Sequence, residues 1–208
     1  MKLFLASEGS DPKTIKKLEE YVGGFVGKNV VYIPTARNGE NPYNTWHDSD
    51  TLNFLNSSGM NVSIVQLEDY KRGIDQNLFE NKDLIWVTGG TPGYLMYWIL
   101  RTGLDVLLPR LLEKSVYVGS SGGAMITGVD LNVMNWYPNE IERGAEYLPS
   151  LKLVDFDIFP HYDEKMLDLI KQNYKGKKLY LLKNREEIIV EDDKVTVVGE
   201  ERIITNDK

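Results

Sequence analysis

Residues 116–125, which read VYVGSSGGAM, contain the arrangement Gly119-x-Ser121-x-Gly123 directly after an apolar run and before a short predicted helix at 124–127. This context is typical of a nucleophile elbow, in which a tight strand-to-helix turn exposes a serine above the sheet and only small residues fit beside it. The helix N-terminus can then stabilise an oxyanion. We therefore predict that Ser121 is a nucleophile. The alternatives for so short a motif are a plain tight turn and a phosphate-binding loop.

A serine hydroxyl needs a neighbouring base, and the chain has two histidines that could supply one, His47 and His161. His47 lies in a polar segment that looks like the start of a helix, which favours a place at the surface or at the edge of a substrate site. His161 follows an apolar run that ends at Phe159-Pro160, so it emerges where a strand ends. This position favours His161 as the general base over a purely structural histidine.

The elements that would position these two side chains are short apolar runs alternating with helical patterns. The predicted strands cover residues 3–6, 30–33, 62–67, 84–87, 116–118 and 154–159. Most are continuously apolar, as strands buried on both faces of a parallel sheet are. A first helix is predicted to begin at Asp11-Pro12, where an N-cap residue precedes proline. Four further helices are predicted over residues 43–55, 94–100, 104–112 and 164–174.

This alternation predicts an α/β fold with a three-layer, doubly wound, mostly parallel sheet and helices on both faces. Sites in such sheets form outside the carboxyl ends of the strands, so Ser121 and His161 are expected at the same edge. Runs at 179–182, 188–190 and 195–198 predict a small C-terminal antiparallel appendage. We find no repeat or linker and expect one domain over residues 1–208.

The composition excludes several function classes. The 208 residues are 42% hydrophobic and carry a net charge of −7 with mixed signs, which argues against nucleic-acid binding. There is no cysteine, which fits the cytoplasm and removes thiolate chemistry. The apolar start of the chain is too short for a secretion signal, and no run approaches the roughly 20 apolar residues that span a membrane. Two distant histidines give no metal-ligand set, and the glycine-rich loops match no nucleotide-binding pattern.

Four segments together resemble the peptidase E (dipeptidase E) family of serine peptidases, peptidase family S51. They are residues 33–36 (IPTA), residues 87–90 (VTGG), residues 119–124 (GSSGGA) and residues 160–162 (PHY), in that order along the chain. The third is similar to the family's nucleophile motif G-x-S-A-G-A, with Gly122 in place of the usual alanine.

The resemblance implies a flavodoxin-like or class I glutamine-amidotransferase-like fold and hydrolysis of small peptides through an acyl-enzyme, without a cofactor. It also implies that the backbone N–H groups of Gly90 and Gly122 form the oxyanion hole. The oligomeric state cannot be read from the sequence.

Two departures from the family accompany these matches. The family usually has an aspartate between the serine and the histidine, and this chain has none between Asp130 and Asp155. We predict that Glu140 takes that place and orients His161; the alternatives are Asn139 and, less favoured, Asp130 and Glu142. The residues after His161 lack the arginine that recognises acidic substrates in aspartyl dipeptidases, so a preference for Asp-X dipeptides is not expected.

Two other functions compete with a peptidase. An esterase of the α/β-hydrolase type would also carry G-x-S-x-G with the order serine, acid, histidine, although this chain is short for that fold. A catalytically decayed binding or regulatory protein would explain the missing aspartate and the change at Gly122. The separation of Ser121 and His161 in the folded protein distinguishes the last alternative from an enzyme.

Overall fold

Five parallel strands form the centre of the computed structural model, which describes residues 1–40, 46–137, 142 and 144–206. In spatial order they are β3, β2, β4, β5 and β1. Their bounds are β1 Lys2–Ala6, β2 Asn29–Ile33, β3 Asn61–Ile64, β4 Leu84–Val87 and β5 Val116–Ser120. The α/β class and the mostly parallel sheet are thereby confirmed.

The C-terminal strands are divided between two sheets. Strands β8 Glu187–Glu191 and β9 Lys194–Val198 extend the central sheet, with β8 antiparallel to β1 and β9 antiparallel to β8. Strands β6 Asp157–Phe159, β7 Lys178–Leu181 and β10 Ile203–Thr205 form a small second sheet, in which β6 and β7 are parallel and β10 is antiparallel to β7. The predicted C-terminal antiparallel strands are thus present, and they are divided between the two sheets.

The strand predicted at 154–159 is shorter and lies in the second sheet, because the N–H groups of Leu153 and Val154 both donate to the carbonyl of Thr127. Only the last three residues of the run are left to pair with β7.

Within the described ranges, seven α-helices accompany the strands: α1 Pro12–Val22, α2 Thr35–Glu40, α3 Asp50–Ser57, α4 Pro92–Thr102, α5 Leu104–Leu111, α6 Gly122–Met125 and α7 Leu167–Asn173. As predicted, Asp11 caps α1, accepting the Lys13 N–H at 2.8 Å. The helix predicted at 43–55 is divided, because Ser49 caps a new helix by accepting the Leu52 N–H at 3.3 Å. Its residues 43–45 lie outside the described part of the chain.

Both faces of the central sheet are buried along β1, β2, β4 and β5, and successive side chains alternate between the two faces. On β4, Leu84 and Trp86 pack with α1 and α3, whereas Ile85 and Val87 pack with α4, α5 and the second sheet. The result is three layers. At the carboxyl edge of the central sheet, the loops after β1, β4 and β5 meet the loops that follow β6 and β7.

Candidate active site

Ser121 lies at the turn from β5 to α6 and has an uncommon backbone conformation, with φ 47° and ψ −116°. Its N–H donates to the carbonyl of Ala6 at 2.9 Å, and its own carbonyl accepts the N–H groups of Ala124 and Met125. The turn has no room for larger neighbours. A Cβ added at Gly123 would lie 2.3 Å from the carbonyl oxygen of Val87. The flanking glycine is therefore needed for the tight approach of the elbow to β4.

His161 follows β6 and also has a positive φ, 53°. Its N–H donates to Oγ of Ser7 at 2.8 Å, and this fully buried hydroxyl donates in turn to the carbonyl of Leu182. On the other side, the Tyr137 hydroxyl donates to the Pro160 carbonyl at 2.5 Å. Hydrogen bonds to Ser7 on one side and to Tyr137 on the other thus hold the loop that carries His161.

The two predicted catalytic side chains meet at the carboxyl edge of the sheet. Nε2 of His161 lies 3.0 Å from Oγ of Ser121. This separation is within the range in which an imidazole can take a proton from a hydroxyl. His47 lies apart from the pair: it is exposed and stacks on Trp46 with ring centroids 3.8 Å apart.

The other ring nitrogen of His161 has a partner that the sequence analysis missed. Nδ1 lies 2.7 Å from Oδ1 of Asn184, in the loop that follows β7. If the amide oxygen accepts a hydrogen bond from Nδ1–H, the unprotonated nitrogen is Nε2, which faces Ser121. The sequence could have indicated Asn184, because this residue follows the apolar run that ends at Leu182, just as His161 follows the apolar run of β6.

The residues predicted to orient His161 have other positions. Glu140 and Asn139 lie outside the described residues. Asp130 accepts the N–H of Asn132 at 2.8 Å. Glu142 caps the N-terminus of α4 by accepting the N–H of Gly93 at 2.6 Å, and burial raises the pKa of its carboxyl. In the hydrogen bonds of the described residues, neither Asp130 nor Glu142 contacts His161.

The glycine pair after β4 lies against the elbow. The N–H of Gly89 donates to Oγ of Ser120 at 3.1 Å, which ties this loop to the end of β5. A Cβ added at Gly122 would lie 2.6 Å from the carbonyl oxygen of Gly90. Within the described chain, the N–H groups of Gly90 and Gly122 donate to no backbone carbonyl. Both groups remain available to a ligand beside Ser121.

Two hollows meet at the Ser121–His161 pair. The broad cleft, about 610 Å³, is lined by apolar side chains that include Pro92, Met125 and Met134 and also by Glu40 and Glu142. The polar pocket, about 300 Å³, lies on the side of α2 and the start of α3. Its lining includes Ser7, Glu8, Arg37, Glu40, Asp50 and Thr88. A peptide bound across the pair can therefore place different groups in two chemically distinct sites.

Comparison with known proteins decides the family, because residues 3–198 match the model of peptidase family S51. The chain belongs to peptidase family S51. An uncharacterized peptidase of Listeria innocua serovar 6a is 30% identical over 203 residues, covering 93% of this chain and 94% of the relative. An uncharacterized peptidase of Listeria monocytogenes serovar 1/2a is 28% identical over 200 residues, covering 93% of this chain and 96% of the relative.

Solved structures agree with this S51 assignment. A Listeria monocytogenes EGD-e protein assigned to peptidase E superimposes with a TM-score of 0.77 at 25% identity, covering 95% of this chain and 97% of that one. A peptidase from an acI-B1 Actinobacterium has the same fold, with a TM-score of 0.67 at 16% identity over 100% of this chain and 95% of that one. The S51 chain is therefore a serine peptidase. Among the described residues, no helix is long and apolar enough to cross a membrane.

Proposed function

We propose that this peptidase hydrolyses small peptides through an acyl-enzyme formed on Ser121, with His161 as the general base. The observation that carries the proposal is the 3.0 Å separation of Nε2 and Oγ at a strained elbow. The cleft and the polar pocket on either side of this pair give room for a peptide on both sides of the scissile bond.

The proposed reaction has two halves. Oγ of Ser121 bonds to the substrate carbonyl carbon while its proton moves to Nε2 of His161. The C–N bond then breaks, His161 gives that proton to the leaving amine, and the acyl group stays on Ser121. In the second half, His161 takes a proton from water, the resulting hydroxide attacks the ester, and the proton returns to Oγ as the acid leaves.

Asn184 is the orienting residue in this proposal, and it acts through its amide oxygen. The 2.7 Å contact with Nδ1 holds the imidazole plane and favours the tautomer whose bare Nε2 faces Ser121. Cysteine peptidases with a Cys-His-Asn arrangement use an amide in the same place. The role predicted for Glu140 stays a prediction, since that residue lies outside the described chain.

The backbone N–H groups of Gly90 and Gly122 are the proposed oxyanion donors. Both belong to loops that are held against the elbow, Gly90 by contact with Ala36 and Gly122 by its place at the first turn of α6. Donors fixed in this way need no reorganisation when negative charge develops, and one such donor lowers the activation barrier by roughly 3–4 kcal/mol.

The competing functions are less well supported. Family membership weighs against an esterase of the α/β-hydrolase type. A binding protein without catalysis has no use for a histidine held at both ring nitrogens, one of them 3.0 Å from an elbow serine.

Labelling with a fluorophosphonate probe, mapped by mass spectrometry, tests the nucleophile. We expect wild type and the control Ser57→Ala, at an exposed helix end, to be labelled at Ser121. Ser121→Ala should not react, and His161→Ala should react at least about a hundredfold more slowly because the base is gone. A folded wild-type protein that fails to react, or reacts at another serine, would contradict the proposal.

A further inference from the structure

The polar pocket has charged side chains in its walls. Among the described residues that line it, Glu8, Glu40 and Asp50 carry carboxylates and Arg37 carries a positive charge. Arg37 lies on the same helix as Glu40, with Nη1 3.9 Å from Oε2, so these two charges offset each other. Two carboxylates remain, and the pocket has an excess of negative charge directly beside Ser121 and His161.

Glu8 and Asp50 carry the carboxylates of the pocket that Arg37 does not offset. Across the described residues, neither takes part in an ion pair or accepts a hydrogen bond. Glu8 is half-buried in the loop after β1, and Asp50 is exposed at the first position of α3. Unpaired carboxylates on two separate elements that face one hollow raise the local concentration of cations there.

A third group in the same wall also lacks a partner. Thr88, which follows β4, is 4% exposed, and among the described residues its Oγ1 is a buried atom without a hydrogen bond. A buried polar atom left unpaired costs about 1–3 kcal/mol. A donor entering the pocket from a ligand would remove this cost, whereas an apolar group would leave it in place.

We propose that the polar pocket is a subsite for a positively charged nitrogen of the peptide substrate, an ammonium or a guanidinium. The inference rests on the proposed function, because the pocket borders the nucleophile, and it names the substrate class for that site. The charged nitrogen belongs to a free α-amino group or to a lysine or arginine side chain. Its binding places the scissile carbonyl next to Ser121.

The opposite preference, for an acidic side chain, is disfavoured by the same residues. A substrate carboxylate would meet the unpaired charges of Glu8 and Asp50, and Glu40 already partly offsets the charge of Arg37. Like charges brought together in a partly enclosed site destabilise binding.

The test measures binding to Ser121→Ala by calorimetry, so that it does not depend on turnover. Three matched ligands are compared: Lys-Leu, norleucyl-Leu, which lacks the side-chain charge, and N-acetyl-Lys-Leu, which lacks the terminal charge. We expect at least one of the two altered ligands to bind about tenfold more weakly than Lys-Leu, the range of a lost charge-assisted hydrogen bond. Weaker binding of norleucyl-Leu would show that the pocket binds the side-chain ammonium. Weaker binding of the acetylated peptide would show that it binds the α-amino group.

The double variant Glu8→Gln/Asp50→Asn, in the Ser121→Ala background, should abolish this discrimination. The matched control Asp193→Asn removes a carboxylate at the opposite edge of the sheet. This control should still discriminate between the three ligands. Equal affinity for all three ligands, or tighter binding of Asp-Leu than of Lys-Leu, would overturn the inference. Fluorophosphonate labelling of Ser121 in the wild-type protein separates the two proposals, because intact labelling together with equal affinity of Ser121→Ala for all three ligands refutes the subsite alone.

Discussion

His161 is held at both ring nitrogens and at its backbone N–H, and the group at Nδ1 is a neutral amide. A carboxylate in that position would orient the ring and also stabilise its positive form, whereas an amide oxygen does mainly the first. The chemical character of this proposed triad therefore depends on a single side chain, Asn184. Substitutions of Asn184 can therefore separate the orientation of the His161 ring from the stabilisation of its positive charge.

We expect Asn184→Ala to lower kcat roughly tenfold to a hundredfold, because the imidazole loses its orienting hydrogen bond, which contributes on the order of 1–3 kcal/mol. Asn184→Asp should restore the orientation and add a charge that favours protonated His161. The acid limb of its pH profile for kcat/KM should then move to higher pH by about one unit. Steady-state kinetics between pH 5 and pH 9 measure both effects.

Two outcomes would count against this role for Asn184. One is an Asn184→Ala protein with wild-type kcat, which would leave orientation to a residue outside the described chain, such as Glu140. The other is a pH profile of Asn184→Asp that coincides with that of wild type.

Among the elements, the elbow and the glycine loop after β4 are fitted to each other. The carbonyl of Gly90 occupies the space that a side chain at position 122 would need, with only 2.6 Å from the added Cβ to the oxygen. This contact gives a physical reason for glycine at a position where the family motif usually has alanine. The glycine at position 122 thus goes together with a close approach of the Gly90 loop to the elbow.

Gly122→Ala should therefore push the Gly90 peptide away from Ser121. We expect kcat to fall by about tenfold or more, because an oxyanion donor is displaced, while the fold is kept. Steady-state kinetics and the labelling rate at Ser121 report the change. Ser57→Ala is the control, since this exposed residue lies at the end of α3, away from Ser121 and His161. Unchanged kcat in Gly122→Ala would contradict Gly90 as a donor.

For the whole molecule, buried carboxylates connect elements that are far apart in the sequence. Asp157, at the start of β6, is 2% exposed and accepts the N–H groups of Val129 and Asp130 and the hydroxyl of Tyr174. Burial raises the pKa of Asp157 above its ordinary 3.8 despite these bonds. The folded protein thus binds this proton more tightly than the unfolded chain does.

The sign of the resulting pH dependence follows. The contribution of Asp157 to the free energy of unfolding is largest below pH 3.8 and falls as the pH rises through the raised pKa. Asp157→Asn keeps an acceptor for the two N–H groups but cannot ionise, so its free energy of unfolding should decline less between pH 4 and pH 7 than that of wild type. Urea denaturation across this range measures the slope.

Asp157→Ala is the matched comparison, because it removes the acceptor as well as the charge. It should lower the free energy of unfolding by about 2–4 kcal/mol at pH 7, the cost of leaving several buried donors unpaired. Equal stability of the asparagine and alanine variants would show that the hydrogen bonds contribute little.

Much of this architecture was determined by the sequence alone. Continuous apolar runs such as that at Leu84–Val87 can only be buried on both faces, and their alternation with helical patterns requires a parallel sheet. The glycines around Ser121 predict an elbow because no other residue fits so tight a turn, and a histidine just after an apolar strand belongs at the same edge of the sheet. The predicted pairing of Ser121 with His161 used only these local constraints.

Tertiary structure decided what depends on loops that approach from distant parts of the chain. Asn184 contacts His161 because β7 pairs in parallel with β6, and the strand run at 179–182 does not reveal which sheet it joins. The polar pocket likewise combines Glu8, Arg37 and Asp50 from three separate segments. Side-chain patterns specify which face of an element is buried, but the convergence of loops depends on strand order, which such patterns leave open.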